Sequence, residues 1–284
     1  MPVITLENGR LKCEINSFGA ELMSLYDKEA GHEYIWNGDP EVWKNRAPWL
    51  FPFIGKLNNN EYRLNGKSYE MPSHGFANKS EFVIERIDKS KCALCLPATS
   101  ETMANFPWRF RLWITFELTD EALIAKARVT NEDNKEMYFS LGGHPGLMAT
   151  PGDRLVFNKG ERLSVRRLDA ATHTLLPGEK GAFDGEIPLS GSLFTNDAMI
   201  FEAPESDKIT LVRQNGKNIS VEYGSVTWMG IWSRGREDLR YVCVEPWYGV
   251  DDDFGFDGEV SEKTGIEKLE SGAHKELIMT IRPE

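Results

Sequence analysis

Apolar residues in this chain recur at every second position, run after run, and nowhere sustain the three-to-four spacing of a long helix. Leu11, Cys13 and Ile15 alternate with Lys12, Glu14 and Asn16. Leu112, Ile114, Phe116 and Leu118 share one face of a run, as do Leu277, Met279 and Ile281 near the C-terminus. A strand points successive side chains to opposite faces, so this alternation marks half-buried strands. Further strand-like runs cover 82–87, 123–129, 138–141, 209–212, 219–223, 226–232 and 241–244. Turn pairs separate them, among them Asn8-Gly9, Asn65-Gly66, Pro151-Gly152 and Asn215-Gly216. Two short helical turns are expected: one capped by Asp39 with Pro40 at its first position and running through Lys44, the other over 100–105. Many short strands with turns between them predict an all-β sandwich or barrel rather than βαβ units. With no linker, repeat or composition break, residues 1–284 read as a single large antiparallel β-domain.

The formal net charge of −11 opposes nucleic acid as a partner, since phosphate binding needs a positive surface. No apolar run approaches the roughly 18 residues a membrane-spanning helix needs, and Met1-Pro2-Val3-Ile4 opens no secretory signal pattern. Of four cysteines, Cys92 and Cys95 have CxxC spacing but lack a second ligand pair and lie in an apolar run. Buried thiols are favoured there over a metal or redox site. The expectation is a cytoplasmic protein with reduced cysteines, no membrane or nucleic-acid partner, and a monomeric or weakly dimeric state.

Three segments set titratable residues among glycines and aromatics: Pro72-Ser73-His74-Gly75-Phe76, Gly142-Gly143-His144-Pro145-Gly146 and Val244-Glu245-Pro246-Trp247. Glycines beside His144 admit a sharp bend or a close ligand, and Pro145 biases His144 towards extended backbone. An imidazole at a strand end can serve as acid or base near neutral pH. Glu245 closes a β-branched run, where desolvation raises a carboxyl pKa towards general-base use. For both, the residues alone leave an ordinary strand-end side chain as the alternative. His32, His173 and His274 read as ordinary surface histidines. Trp36, Trp43, Trp49, Trp108, Trp228, Trp232 and Trp247 supply ring faces for stacking sugars, though most tryptophans in a sandwich are core.

The order of these segments carries more than any one of them. Arg46-Ala-Pro-Trp-Leu-Phe-Pro-Phe-Ile-Gly-Lys-Leu57, Pro72-Ser-His-Gly-Phe76, Gly142-Gly-His-Pro-Gly146, Asn196-Asp197-Ala198 and Val244-Glu-Pro-Trp-Tyr-Gly249 follow one another along the chain. Together they resemble the aldose 1-epimerase (galactose mutarotase) family, and within it the LacX-like branch. The resemblance implies a β-supersandwich whose concave sheet holds a hexose and interconverts its anomers without a cofactor or metal. It makes His144 the general acid and Glu245 the general base. His74 contacts sugar oxygens, Asp197 binds sugar hydroxyls, and Lys56 stands where the family usually has arginine. Lys56 and Arg46 are taken as further substrate-binding residues. In this scheme Glu245 is ionised and His144 protonated, and their attraction raises the His pKa and lowers the Glu pKa. Two alternatives remain. One is a hexose-6-phosphate epimerase with a basic subsite drawn from Arg46, Lys56, Lys79 and Arg109. The other is a non-catalytic sugar-binding protein on the same fold.

Overall fold

Alternation on this scale folds into two large antiparallel sheets packed face to face. The computed structural model describes residues 2–284, so Met1 lies outside it. A nine-stranded sheet centres on Phe110–Leu118, Leu123–Asn131 and His274–Pro283. Its register sets Ile114 opposite Ala127 and Ala127 opposite Leu277, so one face carries a continuous apolar layer. A six-stranded sheet follows the order Met199–Glu202, Trp228–Trp232, Tyr241–Tyr248, Leu141–Gly143, Trp49–Leu50, with Gly146–Met148 also paired to Tyr241–Tyr248. A four-stranded N-terminal sheet begins with the hairpin Val3–Glu7 and Leu11–Asn16. The all-β expectation holds.

The six-stranded sheet is buried on both faces, and each face has its own purpose. Val242 and Val244 of Tyr241–Tyr248 join the main core with Met229 and Ile231 of the neighbouring strand. Cys243, Glu245 and Trp247 point the other way, on the face that Trp228 and Trp232 share. A strand covered on both sides reads as an unbroken apolar run, so its residues alone do not mark where it ends. It continues through Pro246, opposite Met229, to Tyr248. Glu245 therefore sits inside a strand, not at its end.

The helix expected over 100–105 is present as Ser100–Asn105, capped reciprocally by Thr99 and Thr102. The turn at Asp39 forms only one hydrogen-bonded loop, with the Val42 and Trp43 amides on the Asp39 carbonyl. Cys92 and Cys95 are buried and free on the strand Lys91–Pro97. Three residues apart on a strand, they face opposite sides and cannot share an ion. Burial pushes their thiols up to about 12 and about 11. No described helix is long and apolar enough to cross a membrane.

Candidate active site

Strand register brings the histidine and the glutamate together. Gly142 pairs with Trp247 and Gly146 with Cys243, which puts His144 opposite Glu245. His144 Nε2 lies 3.1 Å from Glu245 Oε2, with the residues 7 % and 1 % exposed. The Trp247 indole fills the space beside them. A Cβ on Gly142 or Gly230 would come within 2.5 or 2.4 Å of it, so the floor requires glycine at both positions. Trp43 stacks on the His144 ring at 5.1 Å, and Trp232 meets it edge-on at 5.8 Å.

His74 reaches the same place from a turn clamped onto the chain after Trp49–Leu50. Its backbone N–H donates to the Gly55 carbonyl at 2.9 Å, and the Gly55 N–H donates to His74 Nδ1 at 3.1 Å. Because Nδ1 accepts, the neutral ring carries its proton on Nε2. Burial, reinforced by Lys79, holds His74 down to about 4, so it is a neutral donor. Its ring stands edge-on to His144 at 5.8 Å.

The charge state of the central pair differs from the sequence expectation. Burial first, then the nearby His74, drives His144 well below its ordinary value. Burial, with Asp197 and Asp251, drives Glu245 well above its own. Desolvation outweighs mutual attraction because both groups are almost wholly buried. The favoured resting state is a neutral pair sharing one proton along the 3.1 Å contact.

Asp197 and Lys56 also line this pocket, as expected, whereas Arg46 does not. The Arg46 guanidinium donates to the Met23 carbonyl at 2.6 Å, and its own carbonyl accepts the Gly146 N–H at 2.8 Å. Arg46 thus braces the turn that carries His144, and unlike the other residues expected at the site it is turned away from this pocket. Asp251 and His173 line the pocket and were missed. Asp251 follows the Trp-Tyr-Gly segment closely enough to have been flagged. His173 carried no local signal, since its partner Asp197 is 24 residues away.

Asp251 is 3 % exposed, and its Oδ1 accepts the Lys56 N–H at 2.7 Å. Burial pushes its carboxyl up to about 7; the Lys56 N–H and the Lys263 ammonium oppose this, and Asp197 adds to it. The folded state therefore holds a proton that the unfolded chain releases near 3.8. Stability lost to this group grows as pH rises from about 4 to about 7 and then levels off. Asp251→Asn keeps the acceptor oxygen and removes the titration. Its stability relative to wild type should rise across that window, by about 1–4 kcal/mol in denaturant melts. A difference independent of pH would count against a neutral buried Asp251.

His144, Cys243 and Glu245 offer ligand atoms within 4.8 Å of one another. Burial above all pushes the Cys243 thiol well above its ordinary value, which disfavours the thiolate that a metal requires.

The cavity above the pair measures about 330 Å³, at the lower end of small-molecule sites. Indole faces and convergent polar groups on one face of the six-stranded sheet, within two large antiparallel sheets, define this chain as a galactose mutarotase-like β-sandwich. The chain belongs to the aldose 1-epimerase family, whose model matches residues 2–250. It is 28 % identical over 264 residues to the chromosomal protein LacX of Lactococcus lactis, covering 87 % of this chain and 88 % of that one. Its fold matches a galactose mutarotase related enzyme from Lactobacillus acidophilus with a TM-score of 0.92 and 29 % identity, over 100 % of this chain and 97 % of that one. A galactose mutarotase-like protein from Lactobacillus casei matches with a TM-score of 0.92 and 31 % identity over the whole of both chains. The family and these structures support a sugar epimerase or mutarotase of isomerase type.

Proposed function

We propose that this protein is a mutarotase interconverting the α and β anomers of an unphosphorylated aldohexose. The observation that carries the reading is the His144–Glu245 contact of 3.1 Å on the floor of a sugar-sized pocket. The two atoms to be worked on, the C1 hydroxyl oxygen and the ring oxygen, are both bonded to C1. Two proton-handling groups must therefore be adjacent, as these are. Once the shared proton has passed along this contact to His144 Nε2, Glu245 takes the hydroxyl proton while His144 gives one to the ring oxygen; the C1–ring oxygen bond breaks and a carbonyl forms at C1. The pair then holds its one proton on Glu245, the state that burial favours. Rotation about C1–C2 presents the other carbonyl face, and closure returns both protons. Each transfer contributes roughly 10²–10⁴-fold. His74, a neutral Nε2–H donor, and the Asp197 carboxylate suit sugar oxygens and hydroxyls respectively.

Charge favours a neutral sugar over its 6-phosphate. In the pocket the Asp197 carboxylate stands against the single ammonium of Lys56, which leaves no net positive charge for a phosphate. Of the other candidate cations for a phosphate subsite, Arg46 is bound to a carbonyl, Arg109 pairs with Asp133 at 3.9 Å, and Lys79 lines a different cavity. Saturation-transfer NMR on equilibrated glucose, galactose and glucose 6-phosphate tests the reading. Acceleration should appear on a free hexose, with kcat/KM at least about tenfold lower on the phosphate. Equal or faster exchange of the phosphate reverses the substrate class. Sugar binding without acceleration makes the protein a binder instead.

A further inference from the structure

His173 stands at the pocket mouth on the side carrying Asp197, and the acid/base chemistry leaves it without a task. Its Nδ1 lies 2.8 Å from Asp197 Oδ2. A carboxylate only accepts, so Nδ1 donates, and the neutral ring keeps its lone pair on Nε2. The other Asp197 oxygen accepts the Ala198 N–H at 2.9 Å, so the carboxylate is itself held in place.

The loop under His173 is equally constrained. The Asp169 carboxylate accepts the Ala171 and Thr172 amides, and the His173 N–H donates to the Asp169 carbonyl at 2.8 Å. Leu175 then ties the loop to the Asp252 carbonyl at 2.7 Å, one residue beyond pocket-lining Asp251. Both members of the dyad adopt left-handed backbone, with φ of +56° at His173 and +64° at Asp197. For non-glycine residues this costs of order 1 kcal/mol each and clusters where a fold holds side chains for a ligand. Yet the His173 side chain remains 53 % exposed. A rigid imidazole that gains so little from burial is arranged for something that covers it.

We propose that His173 is a sugar-contacting residue that sets hydroxyl preference at the mouth of the pocket, its ring oriented by Asp197 so that Nε2 is left for one hydroxyl of the hexose. This deepens the mutarotase reading and rests on it for the identity of the ligand. Nε2 has no protein partner among the described residues, so a hydroxyl there gains a bond without displacing one. One such bond is worth about five- to tenfold in affinity.

The test pairs wild type, His173→Ala and His173→Gln with a hexose and its monodeoxy analogues. Calorimetry reads Kd, and saturation-transfer NMR reads KM and kcat. Wild type should bind one deoxy analogue about five- to tenfold more weakly than the parent sugar. His173→Ala should lose a similar factor on the parent while no longer distinguishing it from that analogue. The loss should fall on KM more than on kcat, and His173→Gln should restore part of it. A merely structural role predicts the same loss on every sugar, and that result, or no loss at all, overturns the proposal. If wild type binds hexoses without accelerating exchange, the mutarotase reading fails while the Kd pattern still decides His173. If wild type binds no hexose, both fail.

Discussion

Glu245→Gln is expected to lower kcat by about 10²–10⁴-fold, and His144→Asn by a comparable factor, with the fold retained in both. The amide of glutamine occupies the same volume between Gly230 and the His144 ring but cannot take up or release the proton. The two residues handle one proton between them, so the double variant should be little worse than either single one. Saturation-transfer NMR measures the rates, and thermal melts followed by circular dichroism check the fold. Because burial lowers His144 and raises Glu245, a second proton enters the pair only well below pH 6.5. The shared proton leaves only well above pH 4.5. The pair titrates as a unit, so kcat should fall on both the acid and the alkaline side, with each limb belonging to both residues. Retention of wild-type kcat by Glu245→Gln would remove Glu245 from the chemistry outright.

How much of this could be read from residues alone depended on whether the deciding contact was local. Leu112, Ile114, Phe116 and Leu118 are all buried because their alternation is a property of one strand. The placement of Glu245 failed for the opposite reason. Its strand is covered on both faces, so a lone carboxylate followed by proline looked like an ending. Ordered motifs carried His144, Glu245, His74, Asp197 and Lys56 into one pocket, though each motif alone left the matter open. Arg46 sits in the right segment, but a sequence does not say which way a loop arginine turns, and this one turns to Met23. The charge state of the pair was also out of reach. It depends on how deeply Trp43 and Trp232 bury His144, a tertiary quantity.

The Phe-Ile-Gly-Lys-Leu segment holds the second large effect. Gly55→Ala should cost about 2–5 kcal/mol of stability and at least about 10²-fold in kcat/KM. Gly55 has a φ of +62°, where a side chain costs of order 1–2 kcal/mol. Steric overlap costs more, because an added Cβ would lie 1.8 Å from Asp251 Oδ1, and overpacking of this kind destabilises by about 1–3 kcal/mol. The damage extends to function because Gly55 organises one wall of the pocket. Its N–H holds His74 Nδ1, its carbonyl accepts the His74 N–H and the Ser73 hydroxyl, and the next amide holds Asp251. His74, Lys56 and Asp251 must therefore shift together, while His144 and Glu245, fixed by other strands, stay paired. Gly66→Ala is the control for backbone strain. Gly66 has a φ of +75°, but its Cβ would meet nothing within 4 Å, so it should lose only the conformational cost and keep its activity. Gly55→Ala combined with Asp251→Ala relieves the collision, and it should recover stability without recovering kcat/KM. Denaturant melts and NMR exchange rates on the four proteins separate the collision from the backbone strain, with insoluble Gly55→Ala beside soluble Gly66→Ala counting as the steric result. Equal losses in Gly55→Ala and Gly66→Ala would mean that Asp251 yields freely and that this wall does not position the sugar.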